Sequence, residues 1–154
     1  MTSPGYILRM RFKSAFEMLD LVQVASDRLT QMAGLDEDGC HWVGVAVRES
    51  VINAIKHGNH HDAAKDVTVE FALVPNGQPH ELVIRVIDEG VGFDVEEIGD
   101  PLAPENILKS SGRGIFFMRS FMDDVVLSRR PEGGMEVRMT KKLPATPAAF
   151  VRAG

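Results

Sequence analysis

The chain of 154 residues holds one cysteine, Cys40. A single thiol excludes an internal disulfide framework and suits a reducing compartment. An excess of positive charge is also missing: 17 basic side chains stand against 22 acidic ones, a net charge of −5. That balance argues against nucleic acid or an anionic membrane surface as the partner. No apolar run approaches the length of a membrane span, and Met1 to Arg11 lacks an apolar core of signal-peptide length. No Gly-x-x-x-x-Gly-Lys-Ser/Thr run occurs, which excludes the P-loop class. Internal repeats and a domain boundary are lacking too. What remains is an ordinary globular composition, 44% hydrophobic and 25% charged. The expectation is one soluble cytoplasmic domain over 1–154, with its core over about 6–143 and a loosely ordered tail over 144–154.

Periodicity places the elements. Tyr6 to Phe12 alternates as a half-buried strand suited to a sheet edge. Ser14-Ala15-Phe16-Glu17 has capping-box spacing, so a helix is expected from Ser14, with Met18, Leu21, Val22, Ala25, Leu29 and Met32 as its apolar stripe and Gly34 as its stop. Asp36 or Asp38 can cap a second helix running to about His57, stopped by Gly58. Val43, Val47, Val51 and Ala54 share one face of it, and Val45 and Ile52 lie nearly opposite, so this helix should be well buried. Val67 to Val74 and Glu81 to Ile87 read as a hairpin. Val125 to Arg129 and Met135 to Lys141 read as two last strands. The stretch from Val95 to Ser111 has no long period and is expected to be a lid over a ligand.

Three stretches carry candidate chemistry. Asp88-Glu89-Gly90-Val91-Gly92 follows a buried strand. An acid at a strand tip with glycines at spacing two suits the floor of an adenine site, where backbone must approach a flat ring; an ordinary turn has the same pattern. Glu49, Asn53 and His57 recur at four-residue steps on the second helix. A carboxylate and an amide on a buried helix need partners, either within the core or as a wall holding a metal and a base. Gly112-Arg113-Gly114 precedes an apolar helix, where free N–H groups make an anion site or the glycines make only a hinge. His57, His60, His61 and Asp62 also cluster in sequence, a weaker pattern for zinc. Cys40 has only its neighbour His41 to activate it as a nucleophile, and adjacent helical residues point apart.

In order, Glu49-x-x-x-Asn53, Asp88-x-Gly90-x-Gly92 and Gly112-x-Gly114 resemble the N, G1 and G2 boxes of the GHKL (Bergerat-fold, histidine kinase-like) ATPase superfamily. Glu49-Ser-Val-Ile-Asn53-Ala-Ile-Lys-His57-Gly58-Asn59 is similar, more narrowly, to the N box of anti-sigma-factor serine/threonine kinases. So is Gly112-Arg113-Gly114-Ile115 with Met118 to Asp123 after it. The resemblance implies an α/β two-layer sandwich: a mixed, mostly antiparallel sheet with helices on one face. It implies ATP and Mg²⁺ as cofactors, with Asp88 on the adenine amino group and Gly90 and Gly92 giving the ring room. Asn53 would coordinate Mg²⁺, Gly112, Arg113 and Gly114 would cradle the phosphates, His57 would touch phosphate or close the helix, and Glu49 would be the catalytic base. The implied function is an anti-sigma factor that phosphorylates an anti-anti-sigma antagonist, a homodimer whose partners are that antagonist and a sigma factor. The alternative is a non-catalytic, nucleotide-gated binding module. One departure stands out: the family's Gly-Thr at the start of the last strand is Gly134-Met135 here, so the polar contact to the base that the resemblance implies is either missing or supplied by another residue. A phosphoacceptor helix is absent, which disfavours a complete sensor histidine kinase.

Overall fold

A computed structural model describes residues 5–74, 80–90 and 118–144. Five strands form one sheet in the order β1-β2-β3-β5-β4, where β1 is Gly5–Lys13, β2 Asp66–Val74, β3 Glu81–Ile87, β4 Asp124–Arg129 and β5 Met135–Lys142. Every pairing is antiparallel. β1 lies at a sheet edge, as its alternation suggested. The expected lid over 95–111, the candidates Gly92, Gly112, Arg113 and Gly114, and the tail beyond Pro144 lie outside the described residues.

Alternation sorts the sheet into two faces. Val67, Val69, Phe71 and Leu73 of β2 and Leu82, Ile84 and Val86 of β3 point one way. They join Val22, Leu29, Val43, Val47, Val51 and Ile55 in one hydrophobic cluster. The other face is polar: Arg9, Glu70, Arg85 and Arg138 stand opposite one another across β1, β2, β3 and β5. Glu70 is held between Arg9 (3.0 Å) and Arg85 (3.6 Å), which lets a carboxylate lie nearly covered there. A helical layer on one face and charge on the other make the expected two-layer sandwich.

Helix α1 runs from Met18 to Met32. Its start corrects the capping-box reading. Glu17 occupies the N-cap position and makes no side-chain cap bond. The Ser14 hydroxyl instead donates to the Lys65 carbonyl (2.8 Å) and accepts from the Asn59 amide (2.8 Å), so long-range partners outcompete the local cap. The stripe also sits off the expected line. Leu21 is 53% exposed, whereas Leu19, Val22, Ser26, Leu29 and Thr30 are buried. Counting apolar residues found Val22 and Leu29 but not the rest of this face, two of whose members are hydroxyls.

Thr30 satisfies its hydroxyl on the Ser26 carbonyl at 2.8 Å. Ser26 Oγ is fully buried and has no partner among the described residues. A buried hydroxyl without a hydrogen bond is destabilising. Ser26→Ala is therefore expected to raise stability by about 1 kcal/mol, read as a rise of roughly 2–4 °C in the thermal midpoint. An unchanged or lower midpoint in calorimetry would show that the hydroxyl is satisfied in solution.

Helix α2, Glu37–Asn53, begins where Asp36 accepts from the Gly39 N–H at 2.7 Å. Val43, Val47, Val51 and Ala54 are all buried, as their spacing predicts. The helical run ends at Gly58 as expected, but not as a simple α-helix. Its last turn, Ala54–Gly58, is a π-helix, closed by Asn59 N–H donating to the Ala54 carbonyl at 2.7 Å. Such wide turns shift the residues after them by one position and often occur at functional sites.

Candidate functional site

The site forms where the end of β3, the π turn and the start of β5 meet. Asp88 directly follows β3 and is 5% exposed. Its own N–H donates to the Met135 carbonyl at 3.0 Å. Its Oδ1 accepts from the N–H groups of Gly90 (3.0 Å) and Met135 (3.1 Å). The acid is thus fixed to the first residue of β5 through the N–H and carbonyl of Met135. Among the described residues no donor reaches Oδ2. Burial pushes the Asp88 carboxyl above the ordinary carboxylate value, against the two N–H bonds and the more distant Lys65 and His60.

Three glycines close around this carboxylate. A Cβ on Gly58 would stand 2.2 Å from Asp88 Oδ2, and one on Gly134 would stand 2.1 Å from the Asp88 carbonyl. Gly134 also has a φ of +89°, which side chains rarely tolerate. A Cβ on Gly90 would meet the Gly58 carbonyl at 1.9 Å. Gly90 was expected to make room for a flat ligand; the room it makes is taken by the Gly58 backbone. Gly58 was expected to stop the helix, which it does, and its bareness also lets the π turn lie against Asp88.

Asn53, His57 and Asp88 line one cavity, with Val86, Leu127 and Met135 among its apolar wall. The helix and the strand tip, 35 residues apart in sequence, therefore contribute to the same space. Glu49, one turn before Asn53, is half-buried and does not line that cavity. Burial holds the His57 imidazole below its usual pKa, helped by Lys56, His60 and His61. Its neutral form is favoured. No group of three or more His, Cys, Asp or Glu side chains among the described residues is placed to hold a metal ion, the His57-His60-His61-Asp62 stretch included. Cys40 is buried beside the Leu35 carbonyl. No helix among the described residues is long and apolar enough to cross a membrane.

Sequence reasoning missed several residues here. Ser50 lines the cavity and hydrogen-bonds the sulfurs of Met118 (3.3 Å) and Met139 (3.5 Å), contacts that only the fold creates. Asn59 ends the N-box stretch and was given no role from sequence, yet it is fully buried. Trp42 is 41% exposed and stacks on Phe121 at 4.2 Å, which joins α2 to the short helical stretch 118–121.

Comparison with known proteins agrees with this geometry. A family model described as the histidine kinase-like ATPase domain matches residues 13–141. The chain is similar to an anti-sigma F factor of Oceanobacillus iheyensis, 37% identical over 112 residues, covering 70% of this chain and 73% of the relative. An anti-sigma F factor of Bacillus subtilis is 36% identical over 110 residues, covering 69% and 71%. The serine-protein kinase RsbW of Staphylococcus aureus is 28% identical over 148 residues, covering 92% and 89%. The fold, the boxes on α2 and after β3, and these matches together place the chain in the histidine kinase-like ATPase family, among the anti-sigma-factor serine/threonine kinases.

Proposed function

We propose that this single-domain protein binds ATP beside Asp88, sequesters a sigma factor, and phosphorylates a serine or threonine of a small antagonist protein. The observation that carries this reading is Asp88: a buried carboxylate with Oδ1 held by two backbone N–H groups and Oδ2 met by no donor among the described residues, lining an apolar cavity with Asn53 and His57. A fixed acceptor in an apolar hollow suits the amino group of adenine, and an anti-sigma kinase relationship supplies the rest of the assignment.

The residues fit the cofactors. The Asn53 amide oxygen is a hard ligand on the cavity wall. With no all-protein metal cluster among the described residues, Mg²⁺ would take its other ligands from phosphate and water, as it commonly does. When bound, Mg²⁺ supplies neutralisation of the phosphate charge. Neutral His57 can donate one N–H to phosphate. Gly112, Arg113 and Gly114 would hold the phosphate chain. Glu49, on the same helix one turn from Asn53, would accept the proton of the attacking hydroxyl as the γ-phosphoryl leaves ADP. The protein would act as a cytoplasmic homodimer.

Incubation with γ-labelled ATP, Mg²⁺ and a candidate antagonist tests this reading. Label on an antagonist serine or threonine is expected. Failure to bind ATP at all would overturn the reading. Met135, an apolar residue where a base-contacting threonine is usual, favours a second reading: a nucleotide-gated module that sequesters a partner without transfer. Nucleotide binding without any labelled antagonist would select it.

A further inference from the structure

Asn59 is the residue whose placement exceeds what the boxes explain. Its side chain has 0% exposure and joins three segments. Nδ2 donates to Ser14 Oγ, just after β1, at 2.8 Å and to the Asp66 carbonyl, at the start of β2, at 2.9 Å. Oδ1 accepts from the Glu89 N–H at 2.8 Å. The orientation of the amide follows from its partners. The Asp66 carbonyl can only accept, and the Ser14 hydroxyl spends its proton on Lys65, whereas the Glu89 N–H can only donate. The backbone of Asn59 is engaged as well, closing the π turn on Ala54 and accepting from the Asp62 N–H at 2.9 Å.

Glu89 lies between Asp88 and Gly90, whose N–H holds Asp88 Oδ1. The Asn59 bond therefore grips the middle of the turn that aims the acid. Asn59 also directly follows Gly58, which packs on Asp88 Oδ2. One amide thus fixes both the helix end and the strand tip. On this basis, and resting on the reading of Asp88 as the purine acceptor, we propose that Asn59 is a positioning residue for base recognition. It presets the Asp88 turn before nucleotide arrives, so that Oδ2 meets an amino group without reorganisation.

The test compares the Kd of ATP with that of purine riboside triphosphate, which lacks the 6-amino group, in wild type, Asn59→Ala and Ser14→Ala. Ser14→Ala removes a partner of Nδ2 and leaves the Glu89 bond. Both variants should lower the thermal midpoint. Only Asn59→Ala should shrink the preference for ATP, by about tenfold, the scale of one hydrogen bond to a charged group. A variant as selective as wild type, or an equal loss in Ser14→Ala, overturns the proposal. If wild type binds both nucleotides alike, the purine reading of Asp88 itself fails and takes this inference with it. Should Asn59→Ala not fold, amide exchange in nucleotide-free wild type decides. The Glu89 N–H should be protected like the amides of β3, and exchange at the rate of an open loop overturns the proposal.

Discussion

Asp88→Asn should abolish useful ATP binding while leaving the nucleotide-free protein at least as stable as wild type. The substitution keeps Oδ1 for the N–H groups of Gly90 and Met135. It replaces Oδ2, which no donor among the described residues reaches, with a donor that faces the donor of the base. Loss of a charged hydrogen bond plus the mismatch amounts to a fall in affinity of roughly 100-fold or more. Calorimetric titration checks it. In thermal melts, wild type should gain about 2.7 kcal/mol at an ATP concentration of 100 times Kd, and the variant should gain nothing at the same concentration.

The stability half of this prediction has a sign fixed by burial. The Asp88 carboxyl is raised above its unfolded value, chiefly by desolvation. The native state therefore holds its proton longer than the unfolded chain. Its contribution is fully present below the unfolded pKa and is lost as pH rises through the folded one. Asp88→Asn carries no such loss. The variant should gain on wild type as pH rises through that window and keep a constant margin above it. Denaturant unfolding across acidic to neutral pH measures the margin. A variant markedly less stable at neutral pH would mean that the ionised carboxylate is well solvated or paired in the free protein.

Glu49→Gln should slow phosphoryl transfer by about 10²–10⁴-fold, the usual contribution of a positioned general base. ATP affinity should stay within about threefold of wild type, because Glu49 does not line the cavity that holds Asp88 and Asn53. Single-turnover transfer to the antagonist and calorimetry separate the two effects. Transfer at the wild-type rate would remove Glu49 from the role of base. Loss of nucleotide binding would assign it to the phosphate end instead.

Much of the frame was legible because local periodicity reports burial directly. The alternation in β1, β2 and β3 gave their inward faces, and the valines of α2 gave its seam. The start of α1 was not legible. Ser14 satisfies every local rule for a cap, yet Lys65 and Asn59, 51 and 45 residues away, take its hydroxyl. The buried face of α1 was misread for a related reason. Ser26 and Thr30 look polar in a window, but a helix can hide a hydroxyl that bonds its own preceding turn, as Thr30 does.

At the site, the chain's order of residues was enough to single out Asp88, Asn53 and His57, since an acid at a strand tip and polar steps along an apolar helix are unusual wherever they occur. The mutual placement of those groups was not contained in any window. A helix end is drawn onto a strand tip by a widened turn, by glycines that leave no room for a Cβ where the two segments meet, and by the buried amide of Asn59. Sequence determined which residues carry charge and hydrogen-bonding capacity. Tertiary structure alone decided which of those groups would share one low-dielectric space, because desolvation and backbone contact depend on neighbours distant along the chain.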